Sequence, residues 1–556
     1  MIKISLNLCC KTLNKVYEKM LIILLSVLSV LQAQPVLELV EDINPGEQNS
    51  DPGLFVEIIG IVFFQAYDGL NGIELWRTDA TEAGTSRVKN IGAGAASMCE
   101  LVWGCGNEYS VMNNILYFRA TDNIHGAEIW RSDGAEAGTY MLKDINPGIS
   151  DCSNSFFMSG QYFAVMDDIL YFAADGGGNN IELWRSDGTE AGTYLVKDFA
   201  VGGSSVPEFI TAIDNNIYFR CINGAGESEL WKSDGTEAGS VLLKQMWVIA
   251  KEYKNMFMEF EGYIYFAGDD DDAYDQELWR TDGTPSGTEL FMNVNPFAGD
   301  GSEPHQFFIL NEKLFFLADD GADEFIFTSD GTIPGTQKLL DENGDSFTPN
   351  NYEFLKSENK IYFAADNEDD NSGIWITDGT KAGTRFLSDI ESGAFNANGA
   401  AVVSGNNIVY QGYDESFGCT TVFQSNGTED GTFQILDYDE LTYPYSMITY
   451  NGKVLLNGNA DAVGAELWML ETEFNVDVVE PDDSGFQIYP NPANDYVVIK
   501  QNTVGGMENI MIINALGQIV LQSKTLSEQH NLNIKDLDPG IYVIISETFT
   551  QKLIVK

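Results

Sequence analysis

Basic residues are scarce in this chain. Its 556 residues hold 30 Lys and Arg against 84 Asp and Glu, a formal charge of −54, and only 3 His. Such an imbalance repels phosphate backbones and anionic lipid heads, so nucleic acid and acidic membrane surfaces are poor candidate partners. Cations, cationic patches and neutral glycans are left. Long apolar runs are missing beyond the N-terminus, where no stretch approaches the roughly 18 residues of a membrane span. No segment sustains a helical period, and HExxH, a GxSxG with a partner set and a P-loop are all absent. Cysteine is sparse too. Cys9 and Cys10 precede the one apolar run, and Cys99, Cys105, Cys152, Cys221 and Cys419 follow it. An odd number forbids a fully paired disulfide framework. Cys99 and Cys105 share one insertion, which allows a small-loop disulfide, and their spacing is not that of a zinc knuckle.

The N-terminus reads as an export signal. Lys3, Lys11, Lys15 and Lys19 precede the apolar run Met20 to Leu31, and Gln32-Ala33-Gln34 supplies a small-residue cleavage site after Ala33. Residues 1–33 are therefore expected to be a signal peptide.

Hydrophobic residues make up 44% and aromatics 12%, enough for burial, and they are periodic. An aromatic marker recurs at Trp76, Trp130, Trp184, Trp231, Trp279, Phe327, Trp375, Phe423 and Trp468, at spacings of 54, 54, 47, 48, 48, 48, 48 and 45 residues. Each unit reads as four short strands separated by Gly, Asp, Asn and Pro, as in MFMEFEG, YIYFAGDD, QELWRTDG and TELFMNV. Four strands every 40 to 50 residues is the size of a propeller blade. After Trp468 the chain continues MLETEFN with no fourth strand, while Leu37 to Gly46, LELVEDINPG, matches the fourth-strand phrase MLKDINPG of Met141 to Gly148. The expectation is an all-β, closed β-propeller of about nine four-stranded blades over residues 34–471, with the N-terminal strand completing the last blade and removing an open edge. An open stack with capped ends is the alternative.

These units resemble the ELWxxDGT repeat of exported bacterial proteins, through ELWRTDAT at Glu74, EIWRSDGA at Glu128, ELWRSDGT at Glu182, ELWKSDGT at Glu229 and ELWRTDGT at Glu277, with weaker copies at Phe325, Gly373 and Thr421. The resemblance implies an architecture and not a reaction. Residues 472–484 form an acidic linker. Residues 485–556 are expected to be a small β-sandwich. They resemble the type A sorting domain of the type IX secretion system of Bacteroidetes, in Tyr489-Pro490-Asn491-Pro492-Ala493, Asn514-Ala515-Leu516-Gly517, Leu537 with Pro539-Gly540-Ile541-Tyr542, and the basic end Lys552 to Lys556. The resemblance implies passage across the outer membrane by that machinery, to the medium or the cell surface.

For chemistry, the DGTxxGT turn is read as scaffolding, since Asp bonds amides two residues on and Gly accepts positive φ. The register tryptophans are read as inter-blade packing, with Trp103 and Trp247 outside the register as better ligand candidates. Arg77, Arg131, Arg185, Arg280, Arg119, Arg220, Arg87 and Arg385 sit in repeat registers, which disfavours a carboxylate-gripping arginine cluster. His125, His305 and His530 do not form a motif. The loops between second and third strands are acidic, and Asp269, Asp270, Asp271, Asp272 and Asp275 are the best Ca²⁺ candidates because hard oxygen donors suit that ion. The leading expectation is a secreted or surface-attached, non-catalytic binding or adhesion protein taking a glycan or protein ligand on its acidic loop face. The alternative is a secreted glycan-active hydrolase or lyase at the channel mouth, for which two carboxylates suffice.

Overall fold

The computed structural model describes residues 35–92, 109–149, 151–152, 163–178, 180–248, 256–270, 275–297, 301–349, 354–366, 372–388, 401–414, 418–429, 431–436, 440–460, 463–471, 486–489, 496–501, 508–513, 519–525, 529–535, 537, 540–545 and 550–555. The expected signal peptide, the expected linker, Cys99, Trp103 and Cys105 lie outside them. Two compact units are present, one spanning Pro35–Glu473 and one containing Phe474–Lys556.

In the first unit, alternating aromatic and β-branched residues build nine antiparallel sheets, eight of them runs of consecutive strands and the ninth completed by the N-terminal strand. The first blade is Gly53–Ile58, Ile61–Tyr67, Ile73–Thr78 and Ser86–Arg87. The seventh blade splits its first strand, and both Thr348–Pro349 and Leu355–Ser357 pair with Lys360–Asp366. In every blade a bulky residue of the second strand faces the marker aromatic of the third, from Phe64 opposite Trp76 to Leu456 opposite Trp468.

The ring closes as expected. Val36–Glu41 pairs antiparallel with Gly464–Glu471, with Leu39 opposite Trp468 and a bulge before Glu41 opposite Leu467. The same bulge beside the marker aromatic interrupts the third-to-fourth strand ladder at Leu183/Trp184, Leu230/Trp231, Leu278/Trp279 and Ile374/Trp375. The N-terminal segment thus takes a fourth-strand register in detail. First strands of neighbouring blades touch one another, including Thr442–Tyr450 of the ninth against Gly53–Ile58 of the first, so these strands lie innermost.

There is no single core. Apolar layers lie between blades: Ile58, Phe63, Leu75 and Val88 of the first meet Leu116, Phe118 and Trp130 of the second. Across the closure, Val40, Leu455 and Leu467 pack on Val62 and Phe64. Each fully buried Phe contributes about 2–3 kcal/mol through apolar area removed from water. Cys152 and Cys221 are free thiols inside these layers, and Cys419 is buried.

The C-terminal unit has two sheets, Phe486–Tyr489, Tyr496–Gln501 and Gln529–Asn533 in one and Glu508–Ile513, Ile519–Thr525, Gly540–Ile545 and Thr550–Val555 in the other. Val497, Ile499 and Leu532 of the first pack with Ile512, Ile544 and Leu553 of the second. This is the expected small sandwich.

Candidate functional site

Polar groups in the propeller follow the repeat, and their partners separate scaffold from surface. The third-to-fourth strand turn is a closed network. Asp187 Oδ1 accepts from Thr189 N at 2.9 Å and Thr189 Oγ1 at 2.7 Å, and Thr189 Oγ1 accepts from Gly192 N at 3.0 Å. Thr193 Oγ1 donates to Thr189 O and lies 2.7 Å from Ser186 Oγ. The bonds recur around Asp234, Asp282, Asp330, Asp378 and Asn426. The threonine hydroxyls hold the Asp187, Asp234 and Asp282 carboxyls below their ordinary range. A Cβ on Gly192 would overlap the Asp187 carboxylate.

The glutamate opening the repeated phrase is buried, a role not among the expectations drawn from the sequence. Glu128 accepts from Ile145 N and Asn146 N, both at 3.1 Å, which fixes the connection to the next blade. Glu182 holds Phe199 N and Ser205, Glu277 holds Val294 N and Ser302 Oγ, and Glu466 holds Ile43 N, Asn44 N and Ser50 Oγ. Burial pushes Glu128 and Glu466 up to about 7. At the corresponding position of the eighth blade, Thr421 Oγ1 instead donates to Leu436 O and Leu441 O. A carboxylate recurring beside an apolar residue at one register was the available signal.

Cations staple blades together. Arg77, Arg131, Arg185 and Lys232 each follow the tryptophan and donate to the turn-glycine carbonyl of the next blade, at 2.8, 2.9, 3.2 and 3.2 Å. Arg385 does so from a fourth strand, to Gly427 O at 2.8 Å. Lys89 and Lys143 reach Thr139 O and Thr193 O at 2.6 Å and lie over the Trp130 and Trp184 rings at 6.0 and 5.8 Å. Register tryptophans are thus inter-blade packing. Trp247 is a packing residue as well, with the Arg220 guanidinium over its ring at 5.3 Å. Arg220 also pairs with Glu208, and His305 is fully buried beside Glu324 at 3.6 Å. His125 pairs with Asp122 at 2.8 Å within its own loop.

The loop face carries the second-to-third strand loops and the connections between blades. Its acids chiefly cap their own loops. Asp68 Oδ1 accepts from Leu70 N and Asn71 N, Asp122 Oδ1 from Ile124 N and His125 N, and Asp175 Oδ1 from Gly177 N and Asn180 N. Among the Ca²⁺ candidates, Asp269 is buried and its backbone exchanges two bonds with Trp247, at 2.7 and 2.9 Å. Asp270 pairs with Lys244 at 3.1 Å, and Asp275 is half-buried. Asp271 and Asp272 lie outside the described residues. Among the described residues no three His, Cys, Asp or Glu converge on a point that would hold a metal. Apolar tips stand out on this face instead: Leu70, Ile149 and Val201 are each 85% exposed, Ile124 65% and Phe297 60%.

Among the described residues no helix is long and apolar enough to cross a membrane. No curated protein matches the chain. Among solved structures it is similar to a prolyl endopeptidase (10% identity, TM-score 0.35, 72% of this chain and 56% of that one). It is similar too to a puromycin-hydrolyzing peptidase of Mycobacterium tuberculosis (10% identity, TM-score 0.35, 68% and 61%). A third is prolyl oligopeptidase B of Galerina marginata (9% identity, TM-score 0.35, 72% and 57%). The chain thus spans less than two thirds of the length of these structures. Residues 487–556 match the family described as the secretion system C-terminal sorting domain, so the nine-bladed propeller is followed by a type IX sorting tail.

Proposed function

We propose that this is a secreted or cell-surface binding protein without catalytic activity, whose propeller is a rigid scaffold presenting its loop face to a glycan or protein. One observation carries the reading. Leu70, Ile124, Ile149, Val201 and Phe297 are raised on that face at 60% exposure or more, while the repeated acids and cations beneath are engaged in capping and stapling. Solvated apolar tips ringed by polar loops are the makings of an interface core with a polar rim. The type IX tail delivers such a surface to the outside of the cell, by way of the secretion machinery.

The test is a glycan array and a cell-surface pull-down with the full chain, run with Ca²⁺ and with chelator. Retention of a partner by the wild type and its loss in a Leu70→Ser, Ile124→Ser, Phe297→Ser chain is the expected result, and a difference between calcium and chelator would bring the Asp269 to Asp275 loop into the site. Equal retention by the triple variant would overturn the loop-face reading. Turnover of a polysaccharide by the chain would replace it with the hydrolase or lyase.

A further inference from the structure

The seam between the ninth and first blades is among the junctions without a cation staple; after the fifth blade Arg280 turns to Glu289 of its own blade, and Thr328 and Gln424 take the position in the sixth and eighth. Where Arg77, Arg131, Arg185 and Lys232 follow their tryptophans and reach the next blade's turn carbonyl, the residue after Trp468 is Met469. The second cation is missing as well. Lys143 in Leu142-Lys143-Asp144-Ile145-Asn146 aligns with Glu41 in Val40-Glu41-Asp42-Ile43-Asn44. The acceptors remain in place: Ala80 stands where Gly134 and Gly188 stand, and Thr85 where Thr139 and Thr193 stand. Among the described residues no Arg or Lys donates to either carbonyl.

A cavity opens at this point. It measures about 470 Å³, and Glu38, Asp79, Ala80, Glu82, Lys453 and Met469 contribute to its lining. Lys453 does not replace the missing staple, since its Nζ lies 3.6 Å from Glu471 Oε2 at the end of its own blade. Burial, with Glu82 and Asp42 nearby, raises the Glu41 carboxyl, the direction expected where acids face each other and no cation offsets them. Acidity alone does not mark the site. The cavity lies where this same chain, at five other junctions, seats an Arg or Lys on the equivalent carbonyl.

We propose that the seam cavity receives an arginine side chain from a basic segment of a partner protein, which completes the missing inter-blade staple by donating to the Ala80 carbonyl between Glu38 and Glu82. Guanidinium suits the place better than ammonium, because its planar fork serves a carbonyl and a carboxylate together. The site rests on the binding reading above and adds a second, chemically distinct contact at the junction of the termini of the ring.

The test uses the full chain and a labelled short glycine and serine peptide with one central arginine, against the same peptide with citrulline, which keeps the shape and removes the charge. Anisotropy should show the arginine peptide binding about tenfold tighter, the scale of one charge-assisted hydrogen bond, and weakening with salt. Met469→Arg, which restores the chain's own staple, should abolish the preference and raise the thermal midpoint. Glu38→Gln with Glu82→Gln should reduce the preference by about tenfold without refilling the cavity, and serves if Met469→Arg does not fold. Equal binding of the two peptides, or an arginine preference unchanged in a folded variant, overturns the seam site. Loss of cell-surface retention in the loop-tip variant with arginine binding intact would separate the two sites, and retention with no arginine binding would sink this one alone.

Discussion

Glu466 accepts from Ile43 N at 2.9 Å, Asn44 N at 3.4 Å and Ser50 Oγ at 2.6 Å, and it is buried while doing so. Removing the acceptor leaves buried donors without a partner, so Glu466→Ala should cost about 2–4 kcal/mol. Glu466→Gln keeps one acceptor oxygen and should cost less, and denaturant unfolding of both variants checks the order. The pH dependence has a definite sign. Burial raises Glu466 and Glu128 from 4.5 to about 7, so between those values the native chain holds protons that the unfolded chain has released. Their contribution to stability falls as pH rises from about 4.5 to about 7 and is level above it. Thermal midpoints of the wild type and Glu466→Gln measured at pH 5 and pH 8 should show a smaller decline in the variant; an equal decline would mean that Glu466 does not titrate as described.

At the scale of the element, the third-to-fourth strand turn is closed within itself and, at Gly134, Gly188, Gly235, Gly283 and Gly427, locked onto its neighbour by a cation. Gly188 has φ +87°, and a Cβ there would overlap the Tyr117 hydroxyl of the preceding blade. Gly148 has φ +111° with open space around it. Gly148→Ala should therefore cost only the backbone penalty, about 1 kcal/mol, while Gly188→Ala should cost about 1–3 kcal/mol more and be partly rescued by Tyr117→Phe. Equal losses in the two alanine variants would show that the turns do not feel the neighbouring blade. Arg131→Met copies the seam into the second junction and should cost about 1 kcal/mol, read by the same unfolding curves. The sequence made the turn legible because its Asp, Gly and Thr spacings are local. It did not make the staples legible, since Arg131 and the carbonyl it serves are 57 residues apart and a carbonyl has no sequence signature.

For the whole molecule, stability depends on seven residues at the start of the ring. Deleting residues 35–41 leaves Gly464–Glu471 as an unpaired edge and strips Val40 from the apolar layer between the ninth and first blades. The expected outcome is faster hydrogen exchange in Lys453–Ala460 and Gly464–Glu471 and a shift toward oligomers on gel filtration, because an open edge templates pairing with another chain. A monomer with unchanged exchange would mean that the first eight blades hold the ring without the closing strand. Deleting residues 487–556 should leave the propeller folded and cell-associated instead of exported, which fractionation and a protease-accessibility assay would read.

Architecture was determined by the sequence alone, down to the closing strand. Blade spacing, strand periodicity and turn chemistry are short-range patterns, and LELVEDINPG repeats a fourth-strand phrase whose bulged register the structure reproduces. The sorting tail was legible for the same reason, as a contiguous stretch of characteristic residues. What only the tertiary structure decided is the fate of each polar group. Glu74, Glu128, Glu182 and Glu277 could not be known as buried caps until the connection 17 residues later folded over them, as with Glu128 and Ile145. Nor could the seam be seen as lacking a cation until the two ends of the ring lay side by side, for the vacancy belongs to Met469 and Ala80 together and to neither in isolation.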